Sequence, residues 1–247
     1  MLHLASKITG APVRATDGDI GKVEDFYFEE LRWAIRYIVV NTGSWLSDRR
    51  VLLSPMSVSG PWGMNGIPVS LTRDQVRESP KLDVERPLSR SDETQVLGYY
   101  GYPAYWGSDD LWGSFGNPGA LVLAPAGQPP VAGSKPEAGV DPEQRGLQST
   151  AKITGYHLQA KDGEIGHVDD FLIGDESWRV RYLRVDTSNW VGGKSVIVLA
   201  DELEWIDKAE GKLHIGLTRD GIRNGASLES IEAALGFRET GPPFAIL

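Results

Sequence analysis

The sequence predicts an all-β protein: two tandem small β-barrels, each with a short terminal helix, joined by a Gly/Pro-rich linker that carries aromatic residues. Three observations predict it. First, Lys7–Ser54 returns from Lys152 at a constant offset of 145, with 19 of the 48 aligned pairs identical and most others exchanged like for like. Second, each copy is built of short alternating apolar runs punctuated by glycine and polar turns, the pattern of small β domains. Third, 18 of the 63 residues between 87 and 149 are glycine or proline, and apolar periodicity stops there. A repeat of this length places one module at 1–86, a linker at 87–149, a second module at 150–228, and a short helix with an irregular tail at 229–247.

Each copy opens with strands over Lys7–Ala15 and Gly21–Phe28, flanking Asp17-Gly18, which recurs as Asp162-Gly163. Asp-Gly between alternating residues predicts a two-residue hairpin turn with positive φ at both central positions. Gly21 and Gly166 follow the turn, where a bulge or a close backbone approach asks for a missing Cβ. The run Trp33–Thr42 predicts a strand buried on both faces near its end, since Ile38, Val39 and Val40 leave no polar side. Strands at Val51–Leu53 and Ile67–Leu71 follow, with Val196–Leu199 and Leu213–Leu217 in the second copy. Thr72-Arg73-Asp74 and Thr218-Arg219-Asp220 each predict a capped short helix. Leu228–Leu235 reads as a further short helix.

The linker is not uniform. Tyr99, Tyr100, Tyr102, Tyr105, Trp106, Trp112 and Phe115 place seven aromatics within 17 residues. Disordered linkers are poor in aromatics, so this piece is expected to dock, while Pro125–Pro142 has no such anchors. Two roles compete: packing across the two barrels to fix their orientation, which is favoured, or presenting an adhesive surface to a partner.

Composition narrows the chemistry. Forty per cent of the residues are hydrophobic and 24% charged, a globular composition. The 34 acids against 25 bases give a net charge of −9, which opposes binding to a phosphate backbone and makes nucleic acid a disfavoured partner. The absence of cysteine excludes disulfides, thiolate metal sites and a cysteine nucleophile, and fits a reducing compartment. MLHLASKITG has neither the basic start nor the apolar run of a signal peptide, so a cytoplasmic location is expected.

No catalytic residue, cofactor site or metal site is predicted. None of the histidines His157, His167 and His214 has a counterpart in the first copy, where Pro12, Lys22 and Val69 stand. His157 and His167 are expected to face each other across a hairpin near Asp169, but a metal needs more ligands than that pair supplies. Gly192-Gly193-Lys194 could touch a phosphate, although glycine is what an ordinary hairpin loop requires. Asp25 with Arg36, and Asp170 with Arg181, are expected to be cross-strand ion pairs if the second hairpin turns near Glu30 and Leu31. Such a pair is worth about 0.2–1 kcal/mol when exposed.

The residues K-x-x-G, DG-x-I-G-x-V-x-D-F, R-Y-x-V-V and L-T-R-D, in that order, resemble the PRC-barrel family over residues 1 to about 80 and about 148 to 228. The family is similar to the cytoplasmic domain of the photosynthetic reaction-centre H subunit and to the C-terminal domain of a bacterial ribosome-maturation factor. The resemblance implies small PRC-type barrels used for assembly in bacteria, with no family-wide catalytic residue to transfer. The expected function is therefore a non-enzymatic scaffold that binds a protein partner and is open to homodimerisation. One alternative is a peripheral component of a photosynthetic or electron-transfer complex, reaching a membrane only through that complex. Another is a ribosome-associated factor.

Overall fold

The structure, a computed structural model, describes residues 1–84, 86–107, 110–123, 146–187, 195–227 and 230–231. In chain order these form β1 (Leu2–Leu4), α1 (Ala5–Ile8), β2 (Pro12–Ala15), β3 (Gly18–Glu29), β4 (Ala34–Asn41), β5 (Arg50–Leu53), β6 (Ile67–Pro68), α2 (Arg73–Arg77), α3 (Arg90–Tyr100) and α4 (Pro118–Leu123). They continue as β7 (Leu147–Ser149), α5 (Thr150–Ile153), β8 (His157–Ala160), β9 (Gly163–Gly174), β10 (Val180–Asp186), β11 (Ser195–Leu199), β12 (Leu203–Asp207), β13 (Lys212–Ile215) and α6 (Arg219–Arg223). Strands in two sheets dominate and the helices are short, as expected of an all-β chain. Pro125–Pro142 and Gly192-Gly193-Lys194, and most of the expected helix Leu228–Leu235, lie outside the described residues.

The chain divides into two compact units. The N-terminal unit comprises His3–Ile153 and Ile173–Val180, and so includes two pieces of the second copy's sequence. Its strand order is β5-β4-β3-β2-β6, with β7 added to β3. β5 and β6 stand at the two ends of that order. Among the described residues no closed ring of strands forms, although an antiparallel bridge from Val58 to Val69 links the segments that follow β5 and β6. Ile8, Val13, Ile20, Phe26, Phe28, Ile38 and Leu53 are all buried. One core cluster holds Tyr27, Tyr37, Val39 and Leu52, covered by Val84, Leu88 and Val96 of the segment leading into and along α3. β4 is therefore buried on both faces over Ala34–Val40.

Within this unit the two copies of the repeated hairpin meet. The Ile35 amide donates to the Trp178 carbonyl and the Val180 amide to the Trp33 carbonyl, both at 2.7 Å. Ala34 and Arg179, the bridged pair between them, are 145 apart, which is the repeat offset. Equivalent residues thus bond to each other reciprocally, the signature of an isologous contact. Trp33 and Trp178 enter it with φ of 53° and 56°.

The C-terminal unit comprises Met1–Leu2, Thr154–Leu172 and Arg181–Leu247. Its sheet has the order β11-β10-β9-β8-β13-β12. β10 and β11 pair antiparallel from Tyr182–Leu199 to Asp186–Ser195, and β13 runs parallel to β8. Leu158, Ile165, Val168, Leu183, Val185, Val196 and Leu213 are fully buried.

Several local expectations change in detail. Lys7 lies in the single-turn α1, so the first strand of the repeat begins only at Pro12. The first hairpin closes one residue early: Ala15 pairs with Gly18 and Ala160 with Gly163, leaving Thr16-Asp17 and Lys161-Asp162 as the turns. Only the glycine of each Asp-Gly pair has positive φ, 143° at Gly18 and 131° at Gly163. The aspartates have another task. Asp17 Oδ1 accepts the Arg73 amide and Asp162 Oδ1 the Arg219 amide, each at 2.8 Å, so a turn residue tethers the start of α2 or α6. Thr72 and Gln75 form the capping box of α2, and Thr218 caps α6, as their T-R-D runs predict. Gly21 does sit at a close backbone approach, because a Cβ there would lie 2.1 Å from the Asn41 carbonyl oxygen.

Candidate functional site

The functional candidates converge in the N-terminal unit, on the guanidinium of Arg36. β3 and β4 pair Tyr27 with Tyr37 but Phe28 with Ile35, so Arg36 is the extra residue of a bulge. Its side chain is 0% exposed. Nε donates to Glu29 Oε2 at 3.1 Å, and Nη2 donates to the same oxygen. Nη1 donates to the Leu111 carbonyl at 2.7 Å. The cation also lies 3.9 Å from the ring centre of Tyr105 and 4.7 Å from that of Trp112. A buried cation is tolerated only when its charge and its donors are both met, and here a carboxylate, a carbonyl and two π faces meet them.

A second ion pair adjoins the first. Arg90, in the first turn of α3, reaches Glu93 Oε1 at 3.0 Å and donates to the Tyr105 hydroxyl at 3.3 Å, while its guanidinium lies 4.3 Å from the Trp106 ring centre. The Tyr105 hydroxyl donates to Glu93 Oε2. Burial pushes the Glu29 carboxyl up, but the Arg36 guanidinium that bonds it, with Arg32 and Arg90, outweighs this and holds it below the usual carboxylate value. Glu93 goes the other way: burial raises its pKa and the pull of Arg90 and Tyr105 does not cancel it. Burial, reinforced by Glu93, pushes the phenols of Tyr37 and Tyr105 well above their ordinary value. Tyr37 Oη is buried without a hydrogen-bond partner.

The aromatic run expected within the linker supplies much of this cluster. Its first part is not linker but α3, started by a Ser89–Asp92 capping box and ended at Gly101, whose φ is 71°. Tyr105 and Trp112 are buried, and Trp112 Nε1 donates to the Ser177 carbonyl at 2.8 Å. Trp106 and Phe115 are half-buried, and Trp112 and Phe115 exchange backbone hydrogen bonds of 2.7 and 3.0 Å. Tyr100 and Tyr102 stack at 5.9 Å, while Tyr99 stays exposed and donates to the Gln75 carbonyl at 2.7 Å.

The expected Asp25–Arg36 pair does not form. Asp25 stands opposite Val39, because the hairpin turns between Glu29 and Ala34 and the bulge at Arg36 shifts the register by one residue more. Asp25 instead accepts from the hydroxyls of Ser149 and Thr150 and from the Ala151 amide, clasping the start of α5. The second pair fails too. Asp170 lies 3.7 Å from Arg184, which also pairs with Asp169 at 2.6 Å, and Arg181 is exposed. Glu29, Arg90 and Glu93, which hold the cluster, escaped sequence reasoning. Nothing in a strand-end glutamate marks it as a buried counter-ion, whereas the Ser89–Asp92 spacing was a legible sign of α3.

His157 and His167 are direct cross-strand neighbours, as their spacing predicts. Among the described residues no group of three or more His, Asp or Glu side chains is placed to hold a metal. A shallow groove lined by Asn41, Asp48, Arg49, Lys81, Leu82 and Val84 also lies on the N-terminal unit. One of its cations, Arg49, is taken up by the carbonyls of Arg77, Ser79 and Pro80.

Residues 2–60 match the family model of the PRC-barrel domain. A search of curated proteins finds no match to the chain.

Proposed function

We propose, on the premise that residues 2–60 are a PRC-barrel domain, that this chain is a non-enzymatic scaffold built from two copies of that small barrel, and that it binds a protein partner. One observation carries the proposal: the titratable and aromatic groups that stand out in the N-terminal unit are turned on one another. A general acid, base or nucleophile must touch the reacting atoms. Arg36 is sealed from solvent, Glu29 and Glu93 are buried against arginines, and Asp25 is engaged by a neighbouring segment. Groups arranged this way hold chain segments in place, which is what a platform for assembly requires.

The net charge of −9 argues against a role on RNA. No helix among the described residues is long and apolar enough to cross a membrane. The alternative reading is a peripheral place in a photosynthetic or electron-transfer complex, with the membrane reached through a partner subunit. The test is cross-linking of the tagged full chain in its host, followed by purification from membrane and soluble fractions separately. A stoichiometric protein partner is expected. Recovery of bacteriochlorophyll-binding proteins would favour the peripheral-component alternative, and ribosomal proteins the ribosome-associated one. Recovery of no partner, or turnover of a small molecule that persists through purification, would overturn the scaffold.

A further inference from the structure

The C-terminal unit presents an aromatic surface that its fold does not explain. β12 and β13 pair with Trp205 opposite His214, and the register slips between Leu203 and Trp205. Glu204 and Trp205 are consequently both exposed, while Ile206 turns inward. The Trp205 ring lies flat on the His214 imidazole, with centres 3.7 Å apart and planes 8° from parallel, yet 48% of the residue is exposed to solvent. One face of the indole is covered, and the rest is held open in a fixed orientation.

The core does not need this ring. In the first copy Pro68 stands opposite Arg14 as His214 stands opposite Gln159, so a proline takes the place of the imidazole and the repeated module folds without this aromatic pair. An exposed, pre-oriented indole costs little entropy to engage, and tryptophan is the best cation–π acceptor among the side chains. The neighbouring charges set the sign of what it would engage. β12 carries Glu204 and Asp207 and no base, with Glu202 just before it and Lys208 just after. The nearby Lys212 is neutralised by Glu164 and Glu210, each at 3.0 Å.

We propose that Trp205, stacked on His214 and flanked by Glu202 and Glu204, is the docking platform for an arginine- or lysine-bearing segment of a protein partner. The cation sits on the open indole face and its charge is met by the flanking carboxylates. This rests on the protein-binding function proposed above and specifies the partner's chemistry and the face that it meets.

The experiment titrates the full-length, nitrogen-15-labelled protein with two capped hexapeptides, one alternating arginine and valine, the other glutamate and valine. The arginine peptide is expected to shift the Trp205 indole resonance and leave that of buried Trp112 in place. Trp205→Ala should weaken binding about tenfold, and Glu204→Gln should weaken it less and reduce its salt dependence. Equal binding of the glutamate peptide, no shift at Trp205, or full affinity in Trp205→Ala would each overturn the platform. Should Trp205→Ala fail to fold, the resonance shifts of the wild-type protein decide. A native partner that cross-links equally well to Trp205→Ala sinks the platform while leaving the scaffold role standing; failure to recover any partner sinks the role itself.

Discussion

Arg36 shows how one bulge changes what a residue means. In a regular hairpin it would face a neighbour across the strand at the surface. As the extra residue between Tyr37 and Ile35 it is buried, with Glu29 as counter-ion and Tyr105 and Trp112 as its walls. Removing one partner of a buried pair leaves the other charge uncompensated, so Arg36→Ala is expected to cost about 3–5 kcal/mol in urea unfolding. The double variant Glu29→Leu with Arg36→Met should recover much of that loss, and a double variant no better than Arg36→Ala would contradict the pairing. The two carboxylates should also titrate with opposite sign. Glu29 is depressed when folded, so its contribution is present above the ordinary carboxylate value of about 4.3 and is lost as pH falls through its lower folded value. Glu93 is raised, so the folded chain holds its proton more tightly, and stability drops as pH rises from the ordinary value through the raised one. Urea midpoints from pH 3 to 7 should show Glu29→Gln losing part of the acid-side decline and Glu93→Gln losing the decline above about 4.3.

Among the elements, α3 has the most to explain, because its sequence is poor in the apolar spacing that marks a helix. RSDETQVLGYY offers Val96 and Leu97 to the interior and buries Asp92 and Glu93 beside them. What holds it is capping and docking: the Ser89–Asp92 box at one end, Gly101 at the other, and the Tyr27, Tyr37, Val39 and Leu52 face beneath. Removing the cap with Ser89→Ala should cost about 1 kcal/mol by thermal unfolding. Gly21→Ala should cost several times more, because its Cβ would meet a backbone oxygen that no rotamer change can move. If the two variants proved equally stable, the close approach of β3 to Asn41 would be wrong. The sheet face also explains a difference between the copies: Val39 lies under the α3 segment, and its equivalent Arg184 pairs with Asp169 and Asp170.

For the whole molecule, the repeat predicts two modules, whereas the compact units follow contacts rather than copies. α5 opens the second module in sequence and β7 immediately precedes it, yet both belong to the N-terminal unit, where β7 pairs with β3 and Asp25 binds Thr150. The tryptophans report on this arrangement. Trp33, Trp62, Trp112 and Trp178 are buried, and Trp205 is about half exposed. Iodide quenching of the full chain should therefore fall clearly in Trp205→Phe and hardly at all in Trp112→Phe. A larger loss in Trp112→Phe would mean that the segment of residues 105–115 is not packed as described.

The sequence by itself determined what depends on neighbours along the chain. The repeat, the alternating strands, the T-R-D helix starts, the cross-strand meeting of His157 with His167 and the close approach at Gly21 all follow from spacing and side-chain type. Tertiary structure decided what depends on register and on who covers whom: that Arg36 pairs with Glu29 and not Asp25, that Asp17 tethers α2, and that Tyr105 and Trp112 close over β4. The physical reason is that a bulge inserts one residue and exchanges the faces of everything beyond it. No local pattern announces that exchange, because a polar side chain in a strand is equally suited to water and to a buried partner of opposite charge.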